Sequence, residues 1–470
     1  MSIYKTIFPD TILYGLVNSF SKLLSFFIFP LLATYFTVSE YGKIDYIQTF
    51  TTFLVLTLTF GLDSALVRFF YEEEENEKRK KLISEILAVQ LIIIIIYLIL
   101  AYLLETYIDE KLKINSKPIT QVILLQVPFI LIINFSQNIL KWTFQRKEYI
   151  IVSIAYLSFI LCYCLIGVYA FNFSVFDYFL GCIVIQFFFS IVSLFLIKKW
   201  LVSIVEFNYL KKISGYAAPL ALVALTTASF PFLERNIVLI NTSQIDLGIY
   251  SIVSKYCFSI LILIYSFQVA WGPISYSIYK SKNASKVFNN VIKFFSFLIC
   301  EAILFIYLID DYIFDFFFDH KIERINELVF FMAFSIGIQG LNSMIELNIH
   351  LSKKTKWILF SNIIFLIIFL SSYLLSSLSL FNIVIITLVA SIFKFLITIL
   401  ISQRIYKMKW NLSYVYFVIL LTLNFGLYIS IFSADQNSLV IYFLILNPII
   451  YTVINLKYFK KLNFFQIKHK

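Results

Sequence analysis

Apolar runs of about 20 residues, separated by short polar connections, recur along the whole chain. Each is long enough to cross a hydrocarbon core of roughly 30 Å as a helix. Inside lipid every backbone N–H and C=O must be satisfied by the protein itself, so only helices and closed barrels span a membrane. The runs here are continuously apolar instead of alternating at every second residue, which selects helices. The fold class is therefore an all-α polytopic membrane protein. Fourteen spans are predicted, at 10–36, 42–69, 82–105, 119–141, 149–171, 175–198, 213–239, 246–274, 287–309, 326–350, 356–378, 381–403, 412–432 and 438–457. With 61% hydrophobic and 14% charged residues in 470, the spans leave no room for a soluble domain. The first span lacks a short apolar core followed by a small-residue cleavage site, and reads as a retained helix rather than a signal peptide.

Lysine and arginine collect on alternate connections: Lys78 to Lys81, Lys141 with Arg146 and Lys147, Lys198 with Lys199, Lys280 to Lys286, Lys353 to Lys356, and Arg404 to Lys409. The intervening connections at 172–177, near Asn382 and near Asp435 carry no basic residue. The positive-inside rule puts the basic connections and both termini in the cytoplasm, consistent with an even number of spans. The net charge of +11 is thus mainly a topology signal. It points to anionic lipids as neighbours and not to nucleic acid. The run Glu72 to Lys81 reads as a solvated loop or helix extension with close-spaced ion pairs.

Much chemistry is excluded. The five cysteines, Cys162, Cys164, Cys182, Cys257 and Cys300, all fall inside predicted spans, where cysteine behaves as a small apolar side chain. The histidines His320, His350 and His469 are scattered, and no paired metal-ligand spacing occurs, so neither a metal nor a cofactor is expected. A nucleotide-binding phosphate loop is also lacking, which excludes ATP hydrolysis by that route. The enzyme alternative, a membrane glycan polymerase or ligase, usually carries a large external loop. Here every external connection is short, and the chain reads as a non-enzyme.

"SEYGKIDYIQTF" from Ser39 and "QIDLGIYSIVSK" from Gln244 share a pattern at an offset of 206 residues, with Glu40 matching Asp246 and Gly42 matching Gly248. The acid suits an exposed helix N-terminus and the glycine a tight entry. The offset equals six spans, making helices 1 to 6 and 7 to 12 parallel copies. The predicted divisions are 1–205, 206–408 and 409–470, the last holding helices 13 and 14 and a cytoplasmic tail.

These segments, with "GLDSALVRFFYE", "YAAPLAL", "LERNIVLI" and "FQVAWGPISY" in the same order, resemble the Wzx-type O-antigen flippases, the polysaccharide-exporter branch of the multidrug/oligosaccharidyl-lipid/polysaccharide (MOP) superfamily. Glu234 before Arg235 stands where relatives often carry aspartate. The resemblance implies two six-helix lobes in a MATE-like arrangement plus two C-terminal helices. It also implies transfer of an undecaprenyl-pyrophosphate-linked oligosaccharide, an O-antigen or capsule repeat unit, to the outer leaflet of a bacterial inner membrane.

Charge inside the spans bears on that task. An ammonium at the bilayer centre costs roughly 2.5–3.5 kcal/mol, yet Lys22 sits mid-span, with Gly15, Asn18 and Ser25 on its helix face. Helix 8 repeats the design with Ser251, Lys255, Ser259 and Ser266. Helix 10 offers Gln339, Asn342, Glu346 and His350, helix 4 offers Asn134, Asn138 and Lys141, and helix 12 carries Lys394. Glu301 lies in helix 9, and Glu234 and Arg235 in helix 7. Each lysine taken alone is as well explained by snorkelling or by a buried ion pair, such as Lys255 or Lys394 with Glu301. As a set, cations from four helices suggest a hydrated path for a pyrophosphate. The expected substrate-binding residues are Lys22, Asn18, Arg235, Lys255, Ser259, Lys394 and Asn342, with Glu234, Glu301 and Glu346 pairing charge or coupling transport. Pro30 and Pro219 are expected to interrupt helices 1 and 7, and Pro273 to end helix 8. Expected partners are the lipid-linked oligosaccharide, membrane lipids and the polysaccharide polymerase machinery. The alternative, a cation-coupled multidrug exporter of the same fold, is disfavoured by the excess of cationic residues.

Overall fold

The structure, a computed structural model, describes residues 4–432 apart from short breaks at 115, 203–206, 208, 280, 282–283, 319–324, 353, 355, 372–377 and 407–409. Every regular element among the described residues is helical: α1 (Tyr4–Tyr35), α2 (Val38–Leu58), α3 (Leu62–Glu72), α4 (Asn76–Lys111), α5 (Lys117–Trp142), α6 (Arg146–Ile150), a π-helical turn (Ile151–Ala155), α7 (Tyr156–Ala170), α8 (Val175–Ile197), α9 (Leu210–Asn241), α10 (Gln244–Ile278), α11 (Ala284–Phe318), α12 (Asn326–Leu351), α13 (Lys356–Leu370), α14 (Leu380–Tyr406) and α15 (Ser413–Phe432). The first thirteen predicted spans each meet a helix, with α2 and α3 forming one span and α6 and α7 another. The fourteenth span, the turn near Asp435, His320 and the C-terminal tail lie outside the described residues. Among those described, nine helices are long and apolar enough to cross a membrane, or ten with the bent α2–α3 pair.

Two details correct the sequence reading. The second span is not continuous, because α2 and α3 meet at 41°. Phe60 and Gly61 there take left-handed φ values of 49° and 68°, which ends a right-handed helix. A Cβ on Gly61 would also lie 2.7 Å from the Ala217 carbonyl oxygen, so glycine admits α9 at this corner. The prolines, conversely, stop nothing: α1 runs through Pro30, α9 through Pro219, and α10 past Pro273. Ending a helix within lipid would strand backbone polar groups, whereas a proline loses only one bond of the ladder.

The 206-residue repeat is visible in the caps. Thr37 and Glu40 form a capping box in which the Thr37 N–H donates to Glu40 Oε2 at 3.0 Å. Ser243 and Asp246 reproduce it, the Ser243 N–H donating to Asp246 Oδ2 at 3.0 Å and the Asp246 N–H to Ser243 Oγ at 3.0 Å. The matched acids thus close helix N-termini through reciprocal hydrogen bonds. The matched glycines serve packing rather than a turn. A Cβ on Gly42 would lie 2.6 Å from the Gly248 nitrogen, and one on Gly248 would lie 2.0 Å from the Val38 carbonyl oxygen.

The chain forms two compact units, Met1–Lys255 with Lys356–Ile383 and Tyr256–Thr355 with Val384–Lys470. In the first, Leu66, Phe69, Leu82, Ile86, Ile139 and Val152 belong to one buried cluster. Phe232 of α9 stacks on Tyr46 and Phe53 of α2. In the second, α12 is the innermost helix, buried on most of its circumference. Its Gly337 and Gly340 leave space that Ile299, Ile303 and Ile264 fill. Outward side chains are apolar, as Ile95, Ile99 and Leu103 on α4 illustrate, which suits a lipid-facing surface.

Candidate functional site

The first unit holds a buried charge cluster built from α2, α9 and α10. Asp45 is 1% exposed, and Arg235 Nε donates to its Oδ2 at 2.9 Å. The Lys255 ammonium reaches its other oxygen, Oδ1, at 3.1 Å. Arg235 also donates to Ser254 Oγ at 2.9 Å and to the Pro231 carbonyl at 3.3 Å. Its guanidinium lies over the Tyr250 ring, and Glu234 Oε2 is 3.7 Å from Nη1. A carboxylate enclosed this way is stabilised because cations and their hydrogen bonds replace water, the buried Arg235 above all.

The three charges differ in access. Arg235 is 3% exposed and Asp45 1%, but the Lys255 side chain is 29% exposed. Lys255 can therefore leave Asp45 for an incoming anion without stranding the carboxylate, since Arg235 stays at 2.9 Å. Arg235, expected to bind substrate, meets Asp45, Ser254 and the Pro231 carbonyl in this conformation and so holds the carboxylate in place.

In the second unit α12 and α14 meet along a polar seam. Ser335 and Ser391 share a hydrogen bond of 3.1 Å, and Gln339 Nε2 donates to Ser391 Oγ at 3.3 Å. One to two turns further, Asn342 Nδ2 donates to Glu346 Oε1 at 2.8 Å, and Lys394 Nζ lies 3.3 Å from the same oxygen. Residues 335, 339, 342 and 346 recur at helical three- and four-residue spacing, which places them on one face. The structure thus brings Asn342, Glu346 and Lys394 together.

The remaining expected residues lie on α1, α10 and α11. Lys22 is exposed on α1, as is Ser25, whose hydroxyl donates to the Ser21 carbonyl at 3.0 Å. Asn18 lies on α1 too, but its side chain falls outside the described residues. The Ser259 hydroxyl donates to the Tyr256 carbonyl at 2.8 Å. Glu301 is half-buried on α11. Among the described residues no cluster of three metal-ligating side chains occurs. Asp45, absent from the expected set, is the residue on which the first cluster turns. Its signal is an acid three residues after Gly42, in the first turn of a predicted apolar span. The cation excess also shrinks, because Asp45 and Glu234 accompany Arg235 and Lys255, and Glu346 accompanies Lys394.

Residues 7–279 match the family described as polysaccharide biosynthesis protein. The chain belongs to that family. A comparison with curated proteins gives no match. Among solved structures the chain is similar to the lipid II flippase MurJ in an inward closed conformation, with a TM-score of 0.74 and 17% identity over 95% of this chain and 99% of that one. It is also similar to an inward-facing multidrug resistance MATE transporter of the MOP superfamily, with a TM-score of 0.67 and 13% identity over 83% and 96% of the two chains. A MOP superfamily transporter from Pyrococcus furiosus gives 0.62 and 12% over 85% and 95%. The fold is thus that of these MOP transporters. Both polar clusters sit on helices that are long and apolar enough to cross a membrane, with α2 counted together with α3.

Proposed function

We propose that the protein translocates an undecaprenyl-pyrophosphate-linked oligosaccharide, an O-antigen or capsule repeat unit, from the cytoplasmic to the outer leaflet of a bacterial inner membrane by alternating access. The observation that carries this reading is Lys255, an accessible ammonium beside a carboxylate already neutralised by Arg235. Sugar hydroxyls and pyrophosphate cross hydrocarbon only if polar partners replace water, at roughly 2–7 kcal/mol for each unpaired hydroxyl. Lys255, Lys22 and Lys394 supply cations for the pyrophosphate, and Asn18, Asn342 and Ser259 supply neutral hydrogen-bonding groups. Glu234, Glu301 and Glu346 balance those cations when substrate is absent. The internal repeat supports two six-helix lobes, 1–205 and 206–408, with 409–470 added to them.

The test is surface-glycan complementation measured beside membrane abundance. Lys22→Ala, Lys255→Ala and Lys394→Ala should each reduce surface glycan at least tenfold at near-normal abundance, and arginine should restore part of it. Arginine keeps the charge but changes reach and hydrogen-bond geometry. Normal export by Lys22→Ala and Lys255→Ala at normal abundance sinks the phosphate-contact role.

The same reading places both termini in the cytoplasm. Reporter domains fused after Asn172 and after Asn382 should both report the outer side, and a cytoplasmic signal at both overturns the orientation.

A further inference from the structure

A second polar site lies in the first unit, apart from the Asp45 cluster. Where α2 breaks into α3, a recess of about 370 Å³ opens between these helices, α5 and α9. Asp63 and Ser64 line it from α3, and Asn134, Gln137 and Asn138 from α5. The opposite wall is apolar, with Leu56, Leu220 and Ala224. Positions 134, 137, 138 and 141 share one face of α5. Lys141 Nζ donates to Asn138 Oδ1 at 3.4 Å, and both residues act on the Asp63 carboxylate.

The volume is far more than the roughly 30 Å³ of one water and falls within the roughly 300–1,000 Å³ of small-molecule pockets. Its chemistry is selective. Three carboxamides each offer donors and an acceptor, a hydroxyl offers both, and a carboxylate accepts only. Such a set pairs with neutral groups that donate and accept at once. Lys141 beside Asp63 is offset by its carboxylate, so the recess offers a pyrophosphate no net positive charge, whereas a sugar hydroxyl can donate to the carboxylate. The apolar wall complements the C–H face of a pyranose ring. The break at Phe60 and Gly61 creates the corner that turns Asp63 and Ser64 toward α5.

We infer that this recess is a sugar-binding subsite that holds a ring of the oligosaccharide, separate from the cations that hold the pyrophosphate. The inference rests on the lipid-linked reading above and extends it: export is selective for the glycan, and residues of α3 and α5 read it.

The test uses the full-length purified chain in detergent and two probes, undecaprenyl pyrophosphate and the same lipid carrying its oligosaccharide, with binding followed by native mass spectrometry. Wild type should bind the glycosylated lipid at least tenfold more tightly than the bare one. The double variant Asn134→Leu, Gln137→Leu should bring that ratio below about threefold while bare-lipid binding stays at the wild-type level, which also reports intact folding. Asn134→Gln with Gln137→Asn keeps both amides and should recover part of the preference. Asp63→Asn should weaken the glycosylated probe without strengthening the bare one. A wild-type ratio in the double leucine variant overturns the sugar subsite. So does tighter binding of the bare lipid by Asp63→Asn, which would show a pyrophosphate facing the recess. If wild type binds neither probe, the lipid-linked reading itself fails, and this inference with it.

Discussion

Asp45→Asn should be among the most damaging single substitutions in the protein, costing about 3–5 kcal/mol and lowering membrane abundance sharply. The neutral amide leaves Arg235, 3% exposed, without the carboxylate 2.9 Å away, and removing one partner of a buried pair strands the other charge. Glu234 at 3.7 Å is a poor substitute. The cost should therefore fall when the stranded charge is removed as well. Asp45→Asn with Arg235→Met should be more stable than the sum of the two single changes by about 1–3 kcal/mol, a coupling characteristic of directly interacting residues. Lys255→Met should cost under about 1 kcal/mol, because a 29% exposed ammonium can be hydrated when unpaired and gains little from its partner. Detergent-solubilised thermal unfolding of the wild type and the four variants measures these differences. Additive effects, or a stable Asp45→Asn protein, would mean that the cluster does not act as a unit.

This contrast shows what the sequence disclosed and what it withheld. Helices of the span length announce themselves, because lipid requires unbroken apolar runs, and α4 or α8 can be read from composition alone. The repeat was legible for the same reason: Thr37 with Glu40 and Ser243 with Asp246 are local signals, complete within four residues. Partnership is not local. Asp45 and Arg235 are 190 positions apart, and nothing in either segment names the other. In the sequence Glu301 is as good a partner for Lys255 as Asp45 is, and it takes the packing of α2 on α9 and α10 to bring Asp45 to 3.1 Å from the ammonium. The break at Phe60 was hidden differently. Its left-handed residue is a phenylalanine, so only Gly61 hinted at a corner, and glycine within a span is common. The polar recess depends on that corner and was unreadable with it. Prolines misled because rules learned for helices in water weaken in lipid, where an ended helix is costlier than a missing hydrogen bond.

Gly248→Ala should be as disruptive as a core charge deletion although it adds one methyl group. The new Cβ would stand 2.0 Å from the Val38 carbonyl oxygen, and the obstacle is backbone rather than a side chain that can rotate away. Relief requires the N-terminal turns of α2 and α10 to separate, which also strains the Thr37–Glu40 box and the 3.3 Å hydrogen bond from Ser39 Oγ to Gln244 Oε1. Overpacking costs typically 1–3 kcal/mol where side chains yield, and here about 3 kcal/mol or more is expected. Gly42→Ala, whose Cβ would meet the Gly248 nitrogen at 2.6 Å, should be the milder of the pair. Gly215 and Gly272 are the controls, since both lie within helices and a Cβ on either meets nothing within 4 Å. Alanine there should be neutral or stabilise by about 0.4–1 kcal/mol, through better helix propensity and a less flexible unfolded chain. Thermal unfolding and membrane abundance of the four alanine variants decide the matter. Equal stability across all four would show that α2 and α10 do not meet backbone to backbone, and the matched glycines would then need another explanation.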